Sequence, residues 1–192
     1  MTGKQKYKAV VIGSSAGGLF ALSAVLEKLP ANYPLAVIIV QHRSRDANVL
    51  FEEMLQQKCK IKVKQADEKE KIAPGTVYIA PPNYHLLVEL DETFSLSAGE
   101  LVKYSRPSID ILFETAAEAF GSNLIGIIMT GSNSDGANGL QAISRFGGIT
   151  IAQDPEEAQY AAMPLAAIEI GAAKKVMKLH DIAGFLTGEA LA

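Results

Sequence analysis

Four apolar residues, Ala9-Val10-Val11-Ile12, run without a polar break into Gly13-Ser14-Ser15-Ala16-Gly17-Gly18, and an apolar helical pattern starts at Leu19. A short, continuous apolar run reads as a strand buried on both faces, and the small residues after it as a sharp turn into a helix N-terminus. Small residues suit such a turn because the backbone bends sharply there and approaches a ligand closely. The free N–H groups at a helix start favour negative charge. The loop therefore has two candidate uses: to hold a phosphate, or to present a serine whose developing oxyanion those amides stabilise.

The same unit recurs. Residues 35–40 and 124–129 are further continuous apolar runs, the first ending in Gln41-His42-Arg43-Ser44, the second in Thr130-Gly131-Ser132-Asn133-Ser134-Asp135-Gly136. Helical patterns over 19–29, 48–57, 109–120, 140–146, 164–170 and 181–187 alternate with strand-like stretches at 60–64, 77–80, 148–152 and around Val176. Ser108 is placed to cap the helix from 109, with Asp110 and Glu114 in its early turns. Lys60, Lys62 and Lys64 alternate with apolar residues, the pattern of an edge strand guarded against pairing with another chain. Residues 86–90 and 93–96, around Asp91-Glu92, predict an antiparallel hairpin. The alternation predicts an α/β fold: a doubly wound, mostly parallel sheet flanked by helices, with an antiparallel hairpin. Ligands of such sheets bind beyond the carboxyl ends of the strands. That rule puts the serine loop, Gln41-His42, Pro81-Pro82, the Asp135 loop and Gln153-Asp154 on one rim.

Composition removes several function classes. The 192 residues show no internal repeat or linker and predict a single domain over 1–192. The net charge of −3 gives no basic face for nucleic acid. No apolar run approaches the ~20 residues of a membrane span, so no membrane insertion is expected. The residues before the first strand hold no signal-peptide core, and the lone Cys59 has no internal disulfide partner, which together predict a cytoplasmic protein. Three histidines and one cysteine without ligand spacing predict no metal, and no cofactor is expected. Cys59, between Lys58 and Lys60, has the flanks of a thiol with lowered pKa. It precedes the edge strand, away from the rim, and is read as incidental.

A dinucleotide site would need a glycine where Ser15 stands and an acidic residue where Gln41-His42 ends the second strand. A Walker A loop would need Lys-Ser/Thr after the glycines. The serine reading survives, with Ser15 at the strand-to-helix turn. Of the three histidines, His42 lies on the same rim and is the leading base. His85 reads as a loop or rim contact, and His180, among Lys174, Lys175 and Lys178, as part of a solvated basic face. A carboxylate must then orient the imidazole. Asp135 and Asp154 both lie on the rim and both also read as cap or turn residues. The small residues around Asp135, which allow close approach, favour it.

These residues carry a resemblance. Val10-Val11-Ile12-Gly13-Ser14-Ser15-Ala16-Gly17-Gly18, Val40-Gln41-His42, Arg106-Pro107-Ser108-Ile109-Asp110, Met129-Thr130-Gly131-Ser132-Asn133-Ser134-Asp135-Gly136 and Gln153-Asp154 occur in the order of the CheB catalytic domain, the protein-glutamate methylesterase of bacterial chemotaxis. The resemblance spans about residues 7–186. It implies a nucleophile at Ser15 rather than Ser14, a base at His42 and an aspartate at Asp135, with oxyanion or substrate contacts at Ala16, Gly17 and Ser132. It implies removal of methyl esters from glutamate side chains of chemoreceptor-like proteins, with release of methanol, and deamidation of receptor glutamines. The implied partners are a methyl-accepting chemotaxis receptor or similar methylated protein, with a methyltransferase or a receiver domain in trans as further candidates. The family usually has Thr at the position of Ala16 and Met at that of Ser132. Its chemotaxis members usually carry an N-terminal receiver domain, and the expectation here is the catalytic domain without it. The Ala16 and Ser132 departures also motivate an alternative: a catalytically impaired, partner-binding module of a signalling complex.

Overall fold

The computed structural model describes residues 6–43 and 50–191. Strand β1 (Ala9–Ser14) leads into helix α1 (Gly18–Leu26), followed by β2 (Ala36–Gln41), α2 (Leu50–Gln56), β3 (Lys62–Gln65) and β4 (Thr76–Ile79). A hairpin of β5 (His85–Val88) and β6 (Phe94–Ser97) precedes α3 (Ile109–Phe120) and β7 (Leu124–Ile128). Then come α4 (Ala137–Arg145), β8 (Ile149–Gln153), α5 (Ala162–Glu169), β9 (Lys175–Met177) and α6 (Leu179–Thr187).

Seven strands form one sheet in the order β3-β4-β2-β1-β7-β8-β9, and every pairing in it is parallel. β5 and β6 form a separate antiparallel pair. This is the doubly wound α/β architecture with a hairpin that the alternation predicts. Every residue of β1, β2 and β7 is buried, which explains why their sequences lack a polar face. Side chains alternate between two cores. Val10, Ile12, Val37, Ile39 and Ile127 meet Leu22, Val25 and Leu26 of α1 and Ile182 and Leu186 of α6. Val11, Ile38, Val40 and Ile128 meet Leu112 and Phe113 of α3, Leu140 of α4 and Met163 of α5. Each such aliphatic or aromatic side chain contributes about 1.5–3 kcal/mol by leaving water.

Local differences from the sequence reading have simple causes. Helix α1 ends at Leu26, and Leu29 is buried in the turn that follows. The first residues of the predicted 48–57 helix, Asn48 and Val49, lie outside the described residues, as does Ser44. The lysine-guarded strand begins at Lys62 and takes the sheet edge, where Lys64 pairs with Asp67 and Glu70 at 2.7 Å each. Helix α4 starts three residues before its apolar pattern because Gly136 caps it at φ 94°, a left-handed conformation that side chains resist. A Cβ there would also lie 2.5 Å from Ile109 Cγ2 and Ile128 Cδ1.

The chain leaves β1 for β2 on one side and returns to β7 on the other. The crevice expected where strand order reverses therefore opens at the carboxyl ends of these three strands. Among the described residues no helix is long and apolar enough to cross a membrane.

Candidate active site

The two serines of the first loop are treated oppositely. Ser14, the last residue of β1, is fully buried, and its hydroxyl donates to Gln41 Oε1 at 2.8 Å. Ser15 is partly exposed and lines an open, largely apolar cleft of about 430 Å³ with Leu19, Phe20, Phe51 and Gln159. Its backbone N–H donates to Thr130 O at 3.0 Å, and its carbonyl accepts from Gly18 N–H at 2.9 Å and Gln41 Nε2 at 2.8 Å. The turn relies on Gly17 at φ 80°, where a Cβ would meet Gln159 Oε1 at 2.8 Å.

Register brings His42 alongside. Ser14 and Gln41 are partners in the β1–β2 ladder, so Ser15 and His42 are the next residues on two strands about 4.8 Å apart. His42 N–H donates to Ser14 O at 3.0 Å. Gln41 Nε2 spans the two loops, donating to Ser15 O and, at 2.9 Å, to His42 O. Sequence reasoning passed over Gln41 except as the absent ribose-binding acid. The Ser15 hydroxyl makes no hydrogen bond among the described residues, so a direct Ser15–His42 hydrogen bond is not closed in this structure.

His42 Nε2 lies 2.8 Å from Asp135 Oδ2. Asp135 is fully buried and accepts three more hydrogen bonds, all from the start of α3. They come from Ser108 Oγ at 3.0 Å, Ile109 N–H at 2.7 Å and Asp110 N–H at 3.1 Å. Burial alone would push its carboxyl up. The hydrogen bonds from His42, Ile109 and Asp110, with the charge of His42, outweigh burial and hold it below the ordinary carboxylate range. An ionised carboxylate only accepts, so the proton between them sits on His42 Nε2, and Nδ1 is the nitrogen left to accept a proton. The cap reading of Asp135 is thus half right: it caps α3, while Gly136 begins its own helix.

The other sequence candidates are placed elsewhere. Asp154 Oδ1 accepts from Glu156 N–H at 2.9 Å within its own turn. His180 is exposed beside Asp181 at 3.1 Å. His85, read as a loop or rim contact, is instead buried at the start of β5, where it accepts Ser108 N–H on Nδ1 at 3.1 Å. The lowered pKa considered for Cys59 is corrected: burial, then the charge of Glu27, push its thiol up to about 11 against the opposing effect of Lys58. Ala16 and Ser132 lie on facing loops, and their backbone N–H groups make no hydrogen bond among the described residues. Thr130 Oγ1 donates to Ala16 O at 2.9 Å and so ties these loops together. His42 also borders a cleft of about 170 Å³ shared with Arg43, Leu101, Tyr104 and Arg106.

The family model of the CheB methylesterase matches residues 10–186. The chain belongs to the CheB methylesterase family. A relative from Leptospira interrogans, named a candidate protein-glutamate methylesterase/protein-glutamine glutaminase, is 50% identical over 177 residues that span 92% of each chain. A Carboxydothermus hydrogenoformans protein-glutamate methylesterase/protein-glutamine glutaminase is 41% identical over 94% of this chain and 55% of its own length. One from Bordetella parapertussis is 42% identical over 91% and 51%. The chain thus spans nearly all of the Leptospira relative and about half of the other two. The crystal structure of the Thermotoga maritima CheB methylesterase catalytic domain superposes with a TM-score of 0.90 at 34% identity, covering 94% of this chain and 97% of that one. The CheB fold therefore extends over nearly the whole described chain.

Proposed function

We propose that this protein is a serine hydrolase that removes methyl esters from glutamate side chains of chemoreceptor-like proteins and deamidates their glutamines. Ser15 is the nucleophile, His42 the base and Asp135 the orienting carboxylate, in one catalytic domain over residues 1–192. The observation that carries this reading is the 2.8 Å contact between His42 Nε2 and buried Asp135. It leaves Nδ1 as the basic nitrogen of a residue that, like Ser15, directly follows the Ser14–Gln41 pair ending the β1–β2 ladder.

In the ester reaction, Ser15 Oγ attacks the side-chain carbonyl carbon and His42 Nδ1 takes the hydroxyl proton. A tetrahedral oxyanion forms, and the free Ala16 and Ser132 N–H groups, with Gly17 shaping the turn, are its donors. Loss of one such donor raises a barrier by about 3 kcal/mol. Collapse breaks the carbon–methoxyl bond, and His42 returns its proton to methoxide as methanol. Water, deprotonated by His42, then releases free glutamate and restores the Ser15 hydroxyl. With glutamine as substrate the leaving group is ammonia and the acyl-enzyme is the same. Because donors approach the oxyanion from the backbone, Ala16 and Ser132 supply them whatever their side chains.

The two clefts flanking Ser15 and His42 suit a protein substrate laid across the strand ends, apolar on the Phe20–Phe51 side and cationic near Arg106. Methylated receptors are the partners this reading implies, with a methyltransferase or receiver domain in trans, in the cytoplasm. The alternative of a catalytically impaired binding module is not favoured, since the relatives carry enzyme names over nearly all of this chain. The test is methanol release from methylated receptor. Ser15→Ala is expected to reduce it by at least about 10³-fold, and unchanged release would overturn the assignment.

A further inference from the structure

Asp135 is held less by its own loop than by the start of α3, and that start is itself held by two buried side chains. Ser108 is fully buried. Its Oγ accepts from Ile111 N–H at 3.4 Å, which directs its own proton to Asp135 Oδ1 at 3.0 Å. His85, also buried, accepts Ser108 N–H on Nδ1 at 3.1 Å. A nitrogen that accepts carries no proton, so Nε2 of His85 is the N–H, and it donates to Glu100 O at 2.8 Å. Ser108 thus donates in two directions, by its backbone N–H to His85, which passes its own N–H to Glu100 O, and by its hydroxyl to Asp135, which also accepts from His42.

We propose that Ser108, its backbone held by His85 and its hydroxyl aimed at Oδ1, is a positioning residue that sets how strongly Asp135 draws on the proton of His42. This rests on the catalytic reading given above. The hydroxyl at Oδ1 takes up part of the carboxylate charge. Without it more charge falls on Oδ2, the imidazolium is favoured, and a higher pH is needed to free Nδ1. The acidic limb of activity then moves up.

Other charged groups face this pair, and none changes with Ser108. Arg43, beyond β2, is neutralised by Glu52 of α2 at 2.8 Å. Lys103, in the loop before α3, pairs with Asp110 of α3 at 2.8 Å. Glu114, one helical turn on, feels Asp135 at longer range. Arg106 is held by Asn83 Oδ1 at 2.8 Å and by the carbonyl of Ala98 at 2.7 Å.

The test compares wild type, Ser108→Ala, Ser108→Thr and His85→Gln in two readouts. In Ser108→Ala, the acidic limb of the kcat/KM profile for methanol release is expected to move to higher pH with KM little changed. Independently of activity, the His42 Nε2 proton resonance is expected to move downfield as its hydrogen bond to Asp135 strengthens. Ser108→Thr, which keeps the hydroxyl, is expected to restore both, and His85→Gln to give the same effects in weaker form. If Ser108→Ala only lowers stability, with the pH limb and the resonance in place, the proposal is overturned and Ser108 is a helix cap alone. If Ser15→Ala retains full activity, the catalytic reading falls, and the resonance alone still decides for or against the action of Ser108 on the pair.

Discussion

Asp110 and Asp135 each accept hydrogen bonds at the start of the other's helix. Asp135 takes the Ile109 and Asp110 N–H groups of α3, and Asp110 Oδ1 takes the Gly136 and Gly139 N–H groups of α4 at 2.9 and 2.8 Å. Each carboxylate thus meets unpaired N-terminal amides and the positive end of a helix dipole. Asp110 Oδ2 is left for Lys103.

Replacing Asp110 separates its two roles. Asp110→Ala strands two buried amides and is expected to cost about 2–4 kcal/mol. Asp110→Asn keeps an acceptor for those amides and loses the ion pair with partly exposed Lys103, for about 1 kcal/mol. Urea denaturation midpoints of the two variants check this. Equal losses would mean that the ion pair, and not the reciprocal capping, stabilises the helix pair.

Asp135→Asn is expected to lower methanol release by about 10⁴-fold, because an amide turned toward His42 favours the wrong tautomer. The pH dependence has a definite sign. The Asp135 carboxyl is held below its ordinary value of 3.8, so its stabilising contribution is present above that value and is lost as pH falls through its lower, folded-state value. The stability gap between wild type and Asp135→Asn should therefore narrow below about pH 4 in acid titrations followed by circular dichroism. A gap that stays constant down to pH 3 would count against the assigned hydrogen bonds.

Cys59 offers a check on the first core. Its thiol is pushed up to about 11 by burial, so the neutral form is favoured by folding. That contribution is complete below the ordinary thiol value of 9.0 and fades as pH rises toward 11. At pH 8, alkylation by iodoacetamide should be at least about 100-fold slower in the folded protein than in urea. Comparable rates would show that the end of α2 opens freely.

Much of this fold is readable along the chain because the central strands are buried on both faces and need no alternation. Residues 109–120 predict α3 to the residue, since Ser108 is a good cap and the apolar positions recur at helical spacing. The rim rule then places Ser15, His42 and Asp135 on neighbouring strand ends. What local sequence does not carry is the partner of a polar group across the sheet. Asp110 looks like a favourable first-turn acid of α3, yet its acceptor is spent on α4. His85 looks like a loop residue until the hairpin folds it under α3. The lysines beside Cys59 suggest an activated thiol, but the buried wall around it, and Glu27 from another element, decide otherwise.

The origin of the Asp135 contacts bears on how this site can diversify. Three of the four hydrogen bonds to its carboxylate come from the start of α3 and the fourth from His42, while its own loop holds only its backbone, through the Asp135 N–H donated to Asn133 Oδ1 at 3.1 Å. The side chain at Ser132 can therefore change without displacing the carboxylate, whereas Asn133 holds the Asp135 backbone and a Cβ at Gly131 would lie 2.6 Å from Met163 Cε. One helix end preserves the chemistry, and the neighbouring loop is left to choose what the chemistry acts on.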